Sequence, residues 1–149
     1  PDVNVVVLEK GAEIGAHIAD HGGCALIIDY GNWRSNGDTF QAVKAHEKVS
    51  PLDSLGSADL TAHVDFQALA QAAEPAAHSP LTPQGVFLER LGITARAQAL
   101  AQNLTGAALE SHIAAHRRLT HPAEMGTLFK VMALMPSGAP APAGLQDGA

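Results

Sequence analysis

Residues 22–31 read GGCALIIDYG: two glycines, an unbroken apolar run, then an acid, an aromatic and a third glycine. The run at 24–28 has no in/out alternation, so it reads as a strand covered on both faces, as in parallel sheets. That reading buries the thiol of Cys24 and sets Asp29-Tyr30-Gly31 at the strand's carboxyl end. Upstream, Ile14, His17 and Ile18 stand at helical spacing within 12–20, and Gly22-Gly23 supplies a left-handed stop. Further upstream, residues 3–8 (VNVVVL) are β-branched and apolar, which predicts a strand. Strand, helix and strand in succession predict a βαβ unit with a right-handed crossover.

Downstream of Gly31, NWRSNGD (32–38) is a polar loop, and 39–43 predicts a short strand. Residues 59–64 (DLTAHV) alternate weakly. Asp65 is placed to cap a helix whose apolar face is Phe66, Leu69, Ala70 and Ala73. Thr82-Pro83 reads as an N-cap followed by a proline in the first helical position, with Gly92 closing that helix. Thr94 and Thr105 read as caps of two further helices, the second with Leu109, Ile113, His116 and Leu119 on one side. Residues 128–134 (LFKVMAL) predict a last strand, antiparallel to the others. The Pro-, Gly- and Ala-rich segment 135–149 predicts a disordered tail. The class is α/β.

Composition bounds the function. In 149 residues, 46 % are hydrophobic and the formal net charge is -6, enough for a core and poorly suited to a phosphate backbone. Nucleic acid is therefore not an expected partner. Cys24 is the only cysteine, so no internal disulfide forms, which fits a reducing compartment. No apolar stretch approaches the roughly 18 residues needed to span a membrane, so no membrane partner is expected. The absence of a visible signal peptide points to a bacterial cytoplasm. The chain opens Pro1-Asp2 without methionine, which reads as a piece of something longer.

Two clusters could carry chemistry. In open parallel sheets ligands sit beyond the carboxyl ends of the strands, where Asp29 either accepts hydrogen bonds from a ligand or caps the following loop. Asp59, Thr61, His63 and Asp65 bring two acids, a hydroxyl and an imidazole together in sequence, an acid/base set. The same residues also read as a helix cap and a half-buried histidine. His112 and His116 have the i, i+4 spacing of metal ligands, but the general base of the zinc-protease motif is absent between them and no third ligand is evident. No metal is expected. No Gly-x-Gly-x-x-Gly, P-loop or nucleophile elbow occurs.

Five stretches in order carry a family likeness: GGCALIIDYG, GDTFQAV (37–43), ADLTAHVDF (58–66), TPQGVFLERLGI (82–93) and MGTLFKVMAL (125–134). From about residue 12 to 134 the chain resembles the C-terminal half of the MidA-like class I S-adenosylmethionine-dependent methyltransferases, whose mitochondrial members assist assembly of respiratory complex I. The resemblance implies a Rossmann-like sheet in which 24–28 is the fifth strand and 128–134 the antiparallel seventh. It implies a partial methyltransferase domain over 1–134. It also implies methyl transfer from S-adenosylmethionine to a protein arginine, in a complex I subunit for the mitochondrial members. The glycine-rich loop and the acid that hold the cofactor in the family have no counterpart here, so this chain is expected neither to bind S-adenosylmethionine nor to be active alone.

Within the family-matching motifs, Asp29, Asp59 and Asp65 are the acids, with Tyr30 and His63 as orienting partners. They are candidates for the acceptor side of the site. A guanidinium stays protonated, and carboxylates beside it orient one terminal nitrogen. A non-enzymatic interaction module that keeps the substrate-docking half is the alternative. A sheet lacking its preceding strands is also expected to self-associate through an exposed edge.

Overall fold

The structure is a computed structural model that describes residues 3–35, 37–53 and 56–146, for 3–8 the backbone only. It opens with helix α1 (Val3–His21). Residues 3–8 are therefore helical, and the predicted opening strand and its βαβ unit are absent. Glu9 and Lys10 offer no break, so the helix of 12–20 extends back through the β-branched run; propensity is a weak prior that packing overrides. Gly22 and Gly23 do stop α1, with φ of 73° and 96° and Gly22 N–H donating to the Ile18 carbonyl at 2.8 Å.

Strand β1 (Ala25–Asn32) follows, then β2 (Gln41–Lys44), β3 (Glu47–Val49), β4 (Asp59–Thr61) and β5 (Val64–Asp65). Helix α2 (Phe66–Ala72), β6 (Ala77–His78) and β7 (Thr82–Pro83) lead to three helices, α3 (Gln84–Arg90), α4 (Ile93–Ala101) and α5 (Gly106–Thr120). A short α6 (Met125–Leu128) enters the last strand, β8 (Phe129–Met135).

The main sheet runs β5-β1-β8-β6, with β7 also on β8. β8 is antiparallel to β1 over the whole register from Ala25↔Leu134 to Tyr30↔Phe129. The sheet is mixed because β5 is parallel to β1, pairing at Gly31↔Val64 and Asn32↔Asp65. Along 25–30 no described strand lies on that side of β1. Strands β3-β2-β4 form a separate antiparallel sheet inserted in the chain between β1 and its parallel partner β5.

One face of the main sheet packs Ile27, Met132 and Leu134 against Ile18 of α1 and Phe66, Leu69 and Ala70 of α2. The predicted apolar face of α2 is buried as a set, Ala73 included. α1 approaches closely because Gly15 has no side chain: a Cβ there would stand 2.0 Å from the Ala73 carbonyl oxygen. On the other face Val131 and Ala133 of β8 meet Phe87 and Leu145. Leu26 and Ile28 on β1 remain 48 % and 47 % exposed. The run at 24–28 is thus covered on one face, not two, and Cys24, just ahead of the strand, is exposed rather than buried.

Local expectations meet mixed outcomes. Thr82 lies in β7 and donates to the Pro80 carbonyl at 3.3 Å, so it does not cap α3, whose cap position is Pro83. Gly92 does end α3, at φ 82°, and stands at the N-cap position of α4. Thr94 lies inside α4 and donates to Glu89 Oε1 at 2.6 Å, while Thr105 occupies the cap position of α5 without a side-chain bond. On the predicted side of α5, Leu109 and His116 are half-buried while Ile113 and Leu119 are exposed. In the segment predicted as a disordered tail, Leu145 is 1 % exposed and joins the second core cluster, while Arg90 Nη1 donates to the Gly144 carbonyl at 3.1 Å. A single well-placed leucine anchors a stretch whose composition carries no helix or strand signal.

Candidate functional site

The carboxyl end of β1 gathers the polar residues. Tyr30 stands in T-shaped contact with His63, ring centroids 5.5 Å apart at 74°, and with its cross-strand neighbour Phe129, 5.4 Å apart at 84°. The β5 pairing makes this meeting, since it lays Val64 beside Gly31 and so brings His63 to the Tyr30 side. His63 is fixed further by its own N–H, which donates to Thr39 Oγ1 at 3.1 Å.

The three acids part company. Asp29 Oδ1 accepts from the Tyr30 N–H at 2.8 Å. Asp65 is saturated structurally: Oδ1 accepts from Ala68 N–H at 2.9 Å as the cap of α2, and Oδ2 accepts from Ser35 N–H at 3.0 Å. That second bond ties the loop after β1 to the start of α2, aided by Arg34 Nε donating to Gln67 Oε1 at 2.7 Å. Asp59 is exposed on β4, in the separate sheet, opposite Val43, and its side chain has no hydrogen-bond or ion-pair partner among the described residues. The structure therefore brings Tyr30 and His63 together, places Asp29 next to Tyr30 in the strand but on its other face, uses Asp65 as a cap and leaves Asp59 on the smaller sheet.

An open cleft of about 440 Å³ lies at this end of β1, lined among others by Gly31, Asn32, His63, Glu124, Thr127 and Lys130. Lys130 faces Asp29 across the ladder, but its Nζ donates to the Thr127 and Leu128 carbonyls at 2.5 and 3.4 Å. Partial burial holds the Lys130 ammonium below the ordinary lysine range, because desolvation penalises the charged form. Glu124 accepts from Arg117 Nε at 2.9 Å. Sequence reasoning overlooked Lys130 and Glu124; the signal for Lys130 was a single cation interrupting the otherwise apolar LFKVMAL. A second cleft, about 410 Å³ and lined by Ile14, His17, Ile18 and Cys24, opens at the opposite end of β1.

His112 and His116 serve the contact between α4 and α5. His112 Nε2 bonds the Ala97 carbonyl at 2.9 Å and His116 Nε2 meets Thr94 Oγ1 at 3.1 Å. Among the described residues no three His, Cys, Asp or Glu side chains are grouped to hold a metal, and no helix is long and apolar enough to cross a membrane.

A mixed α/β fold with its polar cleft at the carboxyl end of a central strand is the arrangement of ligand-binding α/β domains. The sequence identifies which kind. The model of the S-adenosyl-L-methionine-dependent methyltransferase family matches residues 5–85, more than half of the chain, and the chain belongs to that family. The protein arginine methyltransferase NDUFAF7 homolog, mitochondrial, of Drosophila melanogaster is 39 % identical over 136 residues, covering 87 % of this chain and 31 % of that protein. Human protein arginine methyltransferase NDUFAF7, mitochondrial, is 33 % identical over 139 residues, covering 91 % and 30 %. A methyltransferase-type protein from Burkholderia thailandensis, solved bound to S-adenosyl-homocysteine, superposes with a TM-score of 0.69 at 29 % identity, over 99 % of this chain and 37 % of that one. The chain thus spans 30–31 % of the length of these curated relatives.

The cleft does not suit S-adenosylmethionine by itself. Its Lys130 cation would oppose the sulfonium, and its one carboxylate, Glu124, is engaged by Arg117. No glycine-rich strand-to-helix turn is present among the described residues to receive the cofactor.

Proposed function

We propose that this chain is the acceptor-side part of an S-adenosylmethionine-dependent protein arginine methyltransferase, a partial domain that does not bind the cofactor or transfer methyl groups alone. The observation that carries the reading is the Tyr30–His63 pair at the carboxyl rim of β1. Tyr30 and His63 form an aromatic wall against which a planar guanidinium can lie. Asp29 is the proposed acid for the acceptor nitrogens; it precedes Tyr30 in β1, on the opposite face, and its Oδ2 is without a partner among the described residues. Asp65 positions this wall by holding the loop after β1 and the start of α2. A respiratory complex I subunit is the proposed acceptor, by analogy with the family's mitochondrial members.

The test has two arms. Titration calorimetry of this chain with S-adenosylmethionine is expected to give no heat of binding, and micromolar affinity overturns the claim that it lacks the cofactor site. In the longer protein, Tyr30→Ala or His63→Ala is expected to lower methyl transfer to an arginine peptide while leaving cofactor affinity unchanged; unchanged transfer overturns the acceptor-side assignment.

The open side of β1 at 25–30, with Leu26 and Ile28 exposed beside it, supports self-association of the isolated chain. Sedimentation velocity is expected to show concentration-dependent dimers, and a monomer throughout the micromolar range refutes this.

A further inference from the structure

The small sheet β3-β2-β4 is hydrogen-bonded within itself, and its outer strand β4 has a free edge among the described residues. It departs from Asn32 at the rim of β1 and returns to β5 on that same rim, so it stands beside the Tyr30–His63 pair. Its root is pinned by Asp65 to Ser35 N–H and by Thr39 to His63 N–H. Its centre is covered, Ala42 being fully buried, but its outer strand is not: Leu60 is 56 % exposed, as are Phe40 (41 %) and Leu52 (78 %) on the flanking segments.

Register sorts its side chains. Ala42 pairs with both Val49 and Leu60, which puts those three on one face, with Phe40 two residues before Ala42. Asp59 pairs with Val43 and lies on the other face. Charge is unbalanced toward acid: residues 37–61 hold Asp38, Glu47, Asp53 and Asp59 against Lys44 and Lys48. Along the free edge of β4, an acid on one face therefore adjoins a leucine on the other.

We propose that β4 docks an extended polypeptide segment in which basic side chains alternate with apolar ones, added as a fourth strand. Main-chain hydrogen bonds to the edge supply affinity, and the alternation of Asp59 and Leu60 supplies register and selectivity. Asp59 is then a docking acid, set apart from the rim because it holds the acceptor protein beside the reactive arginine and not that arginine itself. The choice of arginine as the basic residue rests on the methyltransferase reading above; the strand addition does not.

The test uses fluorescence anisotropy with this chain and an acetylated nonapeptide alternating Arg and Val. Two control peptides replace Arg by Glu, or gather the same Arg and Val residues into separate blocks. The alternating peptide is expected to bind, and each control to bind at least about tenfold more weakly. Asp59→Asn and Leu60→Ser, both at exposed positions, are each expected to weaken binding about tenfold. Glu110→Gln on α5, which removes the same charge, leaves it unchanged. Equal binding of the blocked peptide, or of Asp59→Asn and Glu110→Gln, overturns the proposal. So does a dimer of the chain that Leu60→Ser abolishes while the peptide fails to bind, since a second copy then owns the edge. Binding is read without cofactor. Binding that depends on Asp59 and Leu60 while the longer protein transfers no methyl group refutes the methyltransferase reading alone, and transfer to protein substrate by the longer protein that ignores both Asp59→Asn and Leu60→Ser refutes the docking alone.

Discussion

Gly31 and Val64 are in such close contact that a Cβ on Gly31 would stand 2.2 Å from the Val64 carbonyl oxygen. Their register joins the small parallel strand β5 to β1 and thereby brings His63 beside Tyr30. Gly31→Ala is expected to push β5 off β1, destabilising the chain by about 1–3 kcal/mol, the usual cost of an overpacked site. Urea denaturation measures the loss. An unchanged midpoint would mean that β5 is not held at this distance in solution.

Asp65 carries two structural bonds, and only one is an ordinary cap. Asp65→Ala removes the bond to Ala68 N–H and the bond to Ser35 N–H. Loss of an N-cap alone costs about 0.5–2 kcal/mol, and the orphaned Ser35 N–H adds to it. Asp65→Ser, which restores a cap acceptor but has only one oxygen, is expected to recover part of the stability. Recovery to the full wild-type value would show that the Ser35 tether contributes nothing.

How far these features were legible in the sequence depends on the range of the interaction that decides them. The Asp65 cap and the Phe66, Leu69, Ala70 face are local patterns, and the structure holds them as expected. The last strand was legible because LFKVMAL is apolar and has a cross-strand partner of matching length in β1. The run at 3–8 was not, because β-branched residues lose only tenths of a kcal/mol in a helix. The available sign was Gly11 and Gly15, spaced i, i+4, which present one smooth stripe for α2 to meet at Leu69 and Ala73. In the site, Tyr30 was tied to its strand end by sequence, but its contact with His63 depends on a β5 pairing 33 residues later that no periodicity announces. Asp59 and Asp65 look alike in ADLTAHVDF, yet the chain changes sheets between them.

The β2–β3 hairpin turns through Ala45 and His46, both at positive φ, 51° and 67°. Two-residue hairpins of this twist favour Asn-Gly, and an L-residue with a side chain in the left-handed region costs roughly 1–2 kcal/mol. Replacing Ala45-His46 by Asn-Gly is expected to raise the denaturation midpoint by the equivalent of about 1 kcal/mol, allowing for glycine's freedom in the unfolded chain. The slope against denaturant should stay constant. A lowered midpoint would mean that His46 contributes a contact of its own that outweighs the strain.

Lys130 predicts a pH dependence with a definite sign. Desolvation lowers its pKa in the folded chain, so at alkaline pH the unfolded chain binds more protons than the folded one. Below the folded-state pKa both states are charged, and the chain bears the full desolvation cost. As pH rises from there through the unfolded-state value the cost is relieved, and stability contributed by this group increases. Lys130→Met lacks the titration and loses the bonds to the Thr127 and Leu128 carbonyls at every pH alike. The difference in unfolding free energy, wild type minus Lys130→Met, is therefore expected to be flat near neutrality and to rise in the wild type's favour toward the ordinary lysine range. Subtracting the variant cancels the groups common to both chains. A difference that falls with pH would show that the folded chain stabilises the ammonium through those carbonyls more than burial penalises it.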